Sequence, residues 1–187
     1  AVERYGEQVL ASAQHGSTQA QTLANWTVLH LHKRALSSPA ALRASLRNRM
    51  DSLRQRLSEE LGAEASVSED EAKAIVLDED TGERLNDEEA ARRTDRSTFG
   101  TVETIEDELD ELQNAIEAAE SVTPSRDNKL RQLLQTVLPN RLRDDPKVIV
   151  FTRYVDTLDY LNEQINYERR LSDVEVITIY GSMSEQK

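Results

Sequence analysis

Two apolar runs, KVIVFT at 147–152 and VEVITIY at 174–180, constrain this 187-residue chain more than any other feature. Each has the length of a single strand. Between them Val155, Leu158, Leu161 and Ile165 step by 3, 3 and 4, the spacing of one helix face. Strand, helix and strand in about 34 residues make the size of a βαβ crossover, so the strands are expected to lie parallel and adjacent or nearly so. Near-continuous apolar runs suit strands covered on both faces. A parallel pair cannot form a core by itself, however, and the sequence runs out in GSMSEQK where a further helix is due. The two runs read as the front edge of an α/β domain whose remainder lies elsewhere.

The residues before them read as helical. From about 18 to 36, Leu23, Trp26, Leu29, Leu31 and Leu36 give a moderately clean helical pattern. Ser37–Ser38–Pro39 then interrupts it, and a serine cap followed by proline in the first turn is a sound helix start, since proline lacks an N–H that would be unpaired there. Over 39–61, Leu42, Leu46, Met50, Leu53, Leu57 and Leu61 recur at steps of 4, 4, 3, 4 and 4 and end at Gly62. The other faces of this helix carry Arg43, Arg47, Arg49, Arg54 and Arg56, which either grip phosphates or simply solvate an amphipathic rod. Over 101–120, Ile105, Leu109, Leu112, Ile116 and Ala119 form a heptad-like seam among acidic residues. The leucine face of 39–61 is its natural partner within the chain, giving a helical hairpin. Pairing with a second chain is the competing arrangement. A last helix, within TPSRDNKLRQLLQTVLP at 123–139, is expected to be capped by Ser125 and stopped by Pro139.

Charge divides the chain more sharply than its net −12 suggests. Residues 1–57 hold 8 basic and 3 acidic side chains, 58–120 hold 5 and 22, and 121–187 hold 10 and 10, for +5, −17 and zero. The basic third suits a polyanion, which the acidic middle would repel. Segment 62–100 is acidic, poor in aromatics and expected to be a flexible insertion. Its clustered acids lack the glycine and closing glutamate of a calcium loop. His30 and His32 are two residues apart and point to different helix faces, a poor start for a metal site. There is no cysteine, no apolar stretch near the ~20 residues of a membrane span and no signal peptide, so a cytoplasmic protein is expected.

DPKVIVFTRYVDTLDYL, followed by VITIYGSMSEQK, resembles the opening of the second RecA-like lobe of superfamily-two helicases, and among these the Swi/Snf-related DNA translocases. DNKLRQLLQTVL resembles the helix that leads into that lobe, with Asn128 where the family has glycine. The resemblance covers about 125–187. It implies a mainly α chain with a small α/β part: a helical insertion at 1–124, with helices at about 18–36, 39–61 and 101–120, then the N-terminal part of lobe two at 125–187. It also implies a parent enzyme that uses ATP and Mg²⁺, acts on DNA, and closes lobe two against a first RecA-like lobe of the same protein. No Walker A loop is present: the glycines stand at 6, 16, 62, 82, 100 and 181, and no Gly-Lys pair occurs. No catalytic residue, metal ligand or cofactor is therefore expected in this chain.

By the same resemblance Thr152, Arg153 and Tyr154 after the first strand, and Gly181 and Ser182 after the second, face nucleic acid. A hydroxyl, a backbone N–H and a guanidinium at a strand end can hold a phosphate. In the alternative, Thr152 only caps the next helix and Arg153 is solvated. Lys129 is a weaker member of the set. A different class of function, a helical interaction module that self-associates through the 101–119 seam, stays open at this level.

Overall fold

A computed structural model describes residues 2–14, 18–60 and 102–180. Four of its helices share one core: α1 (Val2–Ala13), α2 (Thr18–Ser37), α3 (Pro39–Glu60) and α4 (Val102–Glu120). α1 packs on α2 and α4, and α3 packs on α2 and α4, so the four close around a common centre. That centre is made of Tyr5, Val9, Ala24, Leu31, Leu46, Leu53, Ile105, Leu112 and Ile116, with Met50, Leu57 and Leu109 at its margin. The leucine line of α3 and the seam of α4 thus meet inside one chain, and the seam is largely consumed there.

Several elements depart from the sequence expectation. α1 was not expected from the sequence; around a central Gly6, Tyr5, Val9 and Ala13 stack at steps of four on its buried side. A Cβ on Gly6 would stand 3.1 Å from Val28 Cγ1, so glycine permits the close approach of α1 to α2. α2 turns inward not only Leu23 and Leu31 but Ala24 and Thr27, leaving Leu29 and Leu36 43% and 78% exposed. The face was misjudged because small residues line it, and the Thr27 hydroxyl donates to the Leu23 carbonyl rather than lying unpaired.

Arg49 is the largest correction. Placed by periodicity on the solvated side of α3, it is 1% exposed. Its Nε and Nη2 donate to Glu108 Oε1 on α4 at 2.8 and 2.5 Å, and Nε also donates to the Tyr5 hydroxyl on α1. Tyr5 in turn donates to the same carboxylate oxygen at 2.6 Å. Burial is the main reason the Tyr5 phenol is held well above its ordinary pKa. Three helices are locked in register by this one buried network. At the surface Arg4–Glu111 joins α1 to α4 and Arg47–Glu120 joins α3 to α4.

The second part begins with a 3-10 turn (Pro124–Arg126) and α5 (Asn128–Gln132). Asp127, not Ser125, is the cap: its Oδ1 accepts from the Leu130 N–H at 3.0 Å. Pro139 does not stop the helix either. A π-helical stretch (Leu133–Val137), closed by the Leu138 N–H on the Leu133 carbonyl, leads into α6 (Leu138–Asp144). Proline then falls within the first turn of α6, where its missing N–H costs least. Leu130, Leu134, Leu138, Tyr160 of α7 (Val155–Tyr167) and Leu171 form a smaller core, which Ala40 of α3, Val148 and Val174 also touch.

The parallel strands expected at 147–152 and 174–180 are absent as paired strands among the described residues. The runs alternate in environment instead. Val148 and Val174 pack on the small core, whereas Ile149, Phe151, Ile177 and Ile179 are 78%, 89%, 76% and 80% exposed. Among the described residues the fold is mainly helical, and no helix there is long and apolar enough to cross a membrane. Segment 62–100 lies outside the described residues.

Candidate nucleic-acid interface

The turn from 152 to 154 sits where the two cores meet, held from one side by the end of α2. Ser38 is the only residue between α2 and α3. Its Oγ caps α3 by accepting from the Ala41 N–H at 3.0 Å. Ser37 Oγ and Ser38 Oγ each lie 2.8 Å from Thr157 Oγ1, in the first turn of α7. These three hydroxyls satisfy one another, and Thr157 is buried because of them.

One turn earlier on α2, Arg34 is 5% exposed. Its Nη1 donates to Asp156 Oδ2 at 2.8 Å, and its guanidinium carbon lies 4.4 Å from the centroid of the Tyr154 ring. Tyr154 is the N-cap residue of α7 (φ −112°, ψ 135°) and offers no side-chain cap. Its ring is buried at 4% exposure, so it supports the turn rather than meeting a ligand. Arg153 is exposed, with its guanidinium carbon 5.9 Å from the same ring. Thr152 does not cap α7; its Oγ1 is buried and has no hydrogen-bond partner.

Lys129 is placed differently from its expected role. Its Nζ donates to the Leu36 and Ser37 carbonyls at 2.9 and 3.1 Å, satisfying the last turn of α2. Only the remaining ammonium hydrogen could serve a ligand. Gly181 and Ser182 lie outside the described residues.

Beside the turn opens a cavity of ≈ 520 Å³, walled by Leu133 and Val137 of the π stretch, Val150 and Leu161, with Lys129, Thr152 and Arg153 at its polar side. Asp127 also lines it, but its oxygens accept from Leu130 N–H and from Tyr160 O–H at 3.2 Å. Burial first, then Asp127, raises the Tyr160 phenol above its usual value. His30 reports the local field: burial, followed by the charges of Arg34, Lys33 and Arg153, lowers its imidazole to about 4. Arg34 and Arg153 both lie near the Tyr154 ring, and Arg34 comes from a helix that the sequence did not connect to the turn. Arg153, the exposed cation of the turn, is suited to holding an anion in place rather than moving protons.

Comparison with protein-family models, with characterised proteins and with solved structures finds no match to this chain. No group of three or more metal-ligating side chains is gathered among the described residues.

Proposed function

We propose that this chain is part of an ATP-dependent DNA translocase of the Swi/Snf-related class, supplying a helical insertion and the opening of the second RecA-like lobe. The observation that carries the reading is the bare side of the two apolar runs. Ile149, Phe151, Ile177 and Ile179 are each at least 76% exposed and occupy alternate positions on the two segments that flank α7. Period-two exposure of this kind belongs to strands of an α/β sheet with helices on one face and the other face, together with the neighbouring strands, still to be supplied.

In this reading ATP and Mg²⁺ are held by the parent protein's other motifs, and a first lobe faces the turn from 152 to 154. Arg153, beside Thr152, meets a DNA phosphate, with Lys33 adding to the local positive potential. The insertion rides on lobe two through the α2–α7 contacts. Self-association through α4 is the weaker reading, because Ile105, Leu112 and Ile116 are already buried in the chain's own core.

The flanking reading frame is the first test. A Walker A loop upstream and an arginine-bearing motif downstream are expected, and their absence overturns the reading. In solution the chain alone should hydrolyse no ATP, whereas the parent's hydrolysis should rise with duplex DNA; motor-like turnover by this chain alone contradicts it.

A further inference from the structure

We infer that Arg34 is a positioning residue for the turn from 152 to 154: the end of α2 aims Arg153 by gripping Tyr154 within the turn and Asp156 just after it. This rests on the proposed nucleic-acid reading. Arg34 reaches over a sequence distance of 122 residues to Asp156, donating at 2.8 Å, while its plane lies over Tyr154 at 4.4 Å. Arginine can do both at once because its guanidinium is flat and forked; lysine cannot.

The placement is expensive for a residue that only fills space. Arg34 is 5% exposed and its Nε is buried without a partner. Burying a charge with an unmet donor costs free energy that an apolar side chain of similar size would not incur. It also stands near a second cation, since Arg34 and Arg153 both lie against the Tyr154 ring and both act on His30. Arg34, its charge met by Asp156, thus braces the ring near which Arg153 also lies. The Ser37 and Ser38 bonds to Thr157, and the Lys129 bond to the α2 terminus, fix α2 against α7 and hold that brace in place.

The test uses the whole chain and a fluorescein-labelled 30-base-pair duplex, titrated over a range of salt. Arg153→Ala should lower the salt slope by about one ion and weaken binding. Arg34→Met should weaken binding about fivefold and lower the slope in the same way, yet add nothing in the Arg153→Ala background. Additive losses in the combined variant would overturn the inference, because Arg34 would then act on DNA by itself. Should Arg153→Ala leave binding unchanged, the nucleic-acid reading fails, and amide hydrogen exchange decides the positioning separately. In Arg34→Met, exchange at 152–157 should quicken at least tenfold while α4 is unaffected; unchanged exchange at the turn overturns it.

Discussion

Arg49 and His30 show how far a single side chain here depends on surroundings that spacing does not disclose. Removing one member of the buried Tyr5–Arg49–Glu108 network strands the others: Arg49→Met should cost about 3–5 kcal/mol, because Glu108 is left buried and unpaired. Tyr5→Phe should cost about 1–2 kcal/mol, and Arg49→Met combined with Glu108→Leu should recover much of the loss. Urea unfolding of the three variants measures this directly. His30 makes a pH prediction. Its folded pKa of about 4 lies below the unfolded 6.5, so between those values the unfolded chain binds the extra proton. Its contribution is complete above pH 6.5 and is lost as pH falls towards 4, by up to about 3 kcal/mol. His30→Gln should therefore flatten the stability profile over that window; equal slopes for both proteins would refute the assignment. None of these roles was readable from spacing. An arginine or histidine on a helix looks the same whether it faces water or a carboxylate 59 residues away.

At the level of elements, the sequence disclosed what periodicity controls. α3 and α4 were readable because leucines and isoleucines repeat along them, and the start of α3 because Ser38 and Pro39 sit in the order a helix N-terminus favours. α1 was not anticipated although Tyr5, Val9 and Ala13 recur at steps of four, because its apolar positions are short of leucine and interrupted by a glycine needed for close packing. The end of α5 was misjudged for a related reason: proline breaks an α-helical ladder, but a π turn can deliver it into a fresh first turn. The near-continuous apolar runs at 147–152 and 174–180 read as strands covered on both faces, yet one side of each is exposed, because pairing and covering depend on neighbours no local pattern contains. Two substitutions examine the α2–α3 corner. Ser38→Ala removes both a cap and a hydroxyl contact and should cost about 1–2 kcal/mol, whereas Ser37→Ala, which removes only a contact, should cost about half as much. Gly6→Val should also destabilise, by about 1–3 kcal/mol, by forcing α1 away from Val28. Thermal melts followed by circular dichroism rank the three.

At the largest scale, two cores of unequal completeness are joined, among the described residues, by polar contacts and by the packing of α3 on α7. The helical core is closed around its centre, with Leu36 of α2 the main apolar side chain left outside among the described residues. The smaller one leaves Ile149, Phe151, Ile177 and Ile179 bare, a load of apolar surface that solvated proteins seldom carry without a partner. The isolated chain should accordingly associate as its concentration rises, and Phe151→Lys with Ile179→Lys should suppress this without loss of helix content. Sedimentation velocity reads the first outcome and circular dichroism the second; association that persists in the double variant would place the sticky surface elsewhere. The Lys129 contact has a consequence of its own for anyone dividing this chain. Severing it between Ser121 and Pro124 would strip α2 of the ammonium that closes its last carbonyls and would strip α7 of its arginine clasp. The nearest thing to a linker is thus a poor place to cut: each piece would keep its leucines yet forfeit its fastenings, and α2 would fray from the end that the other piece had pinned.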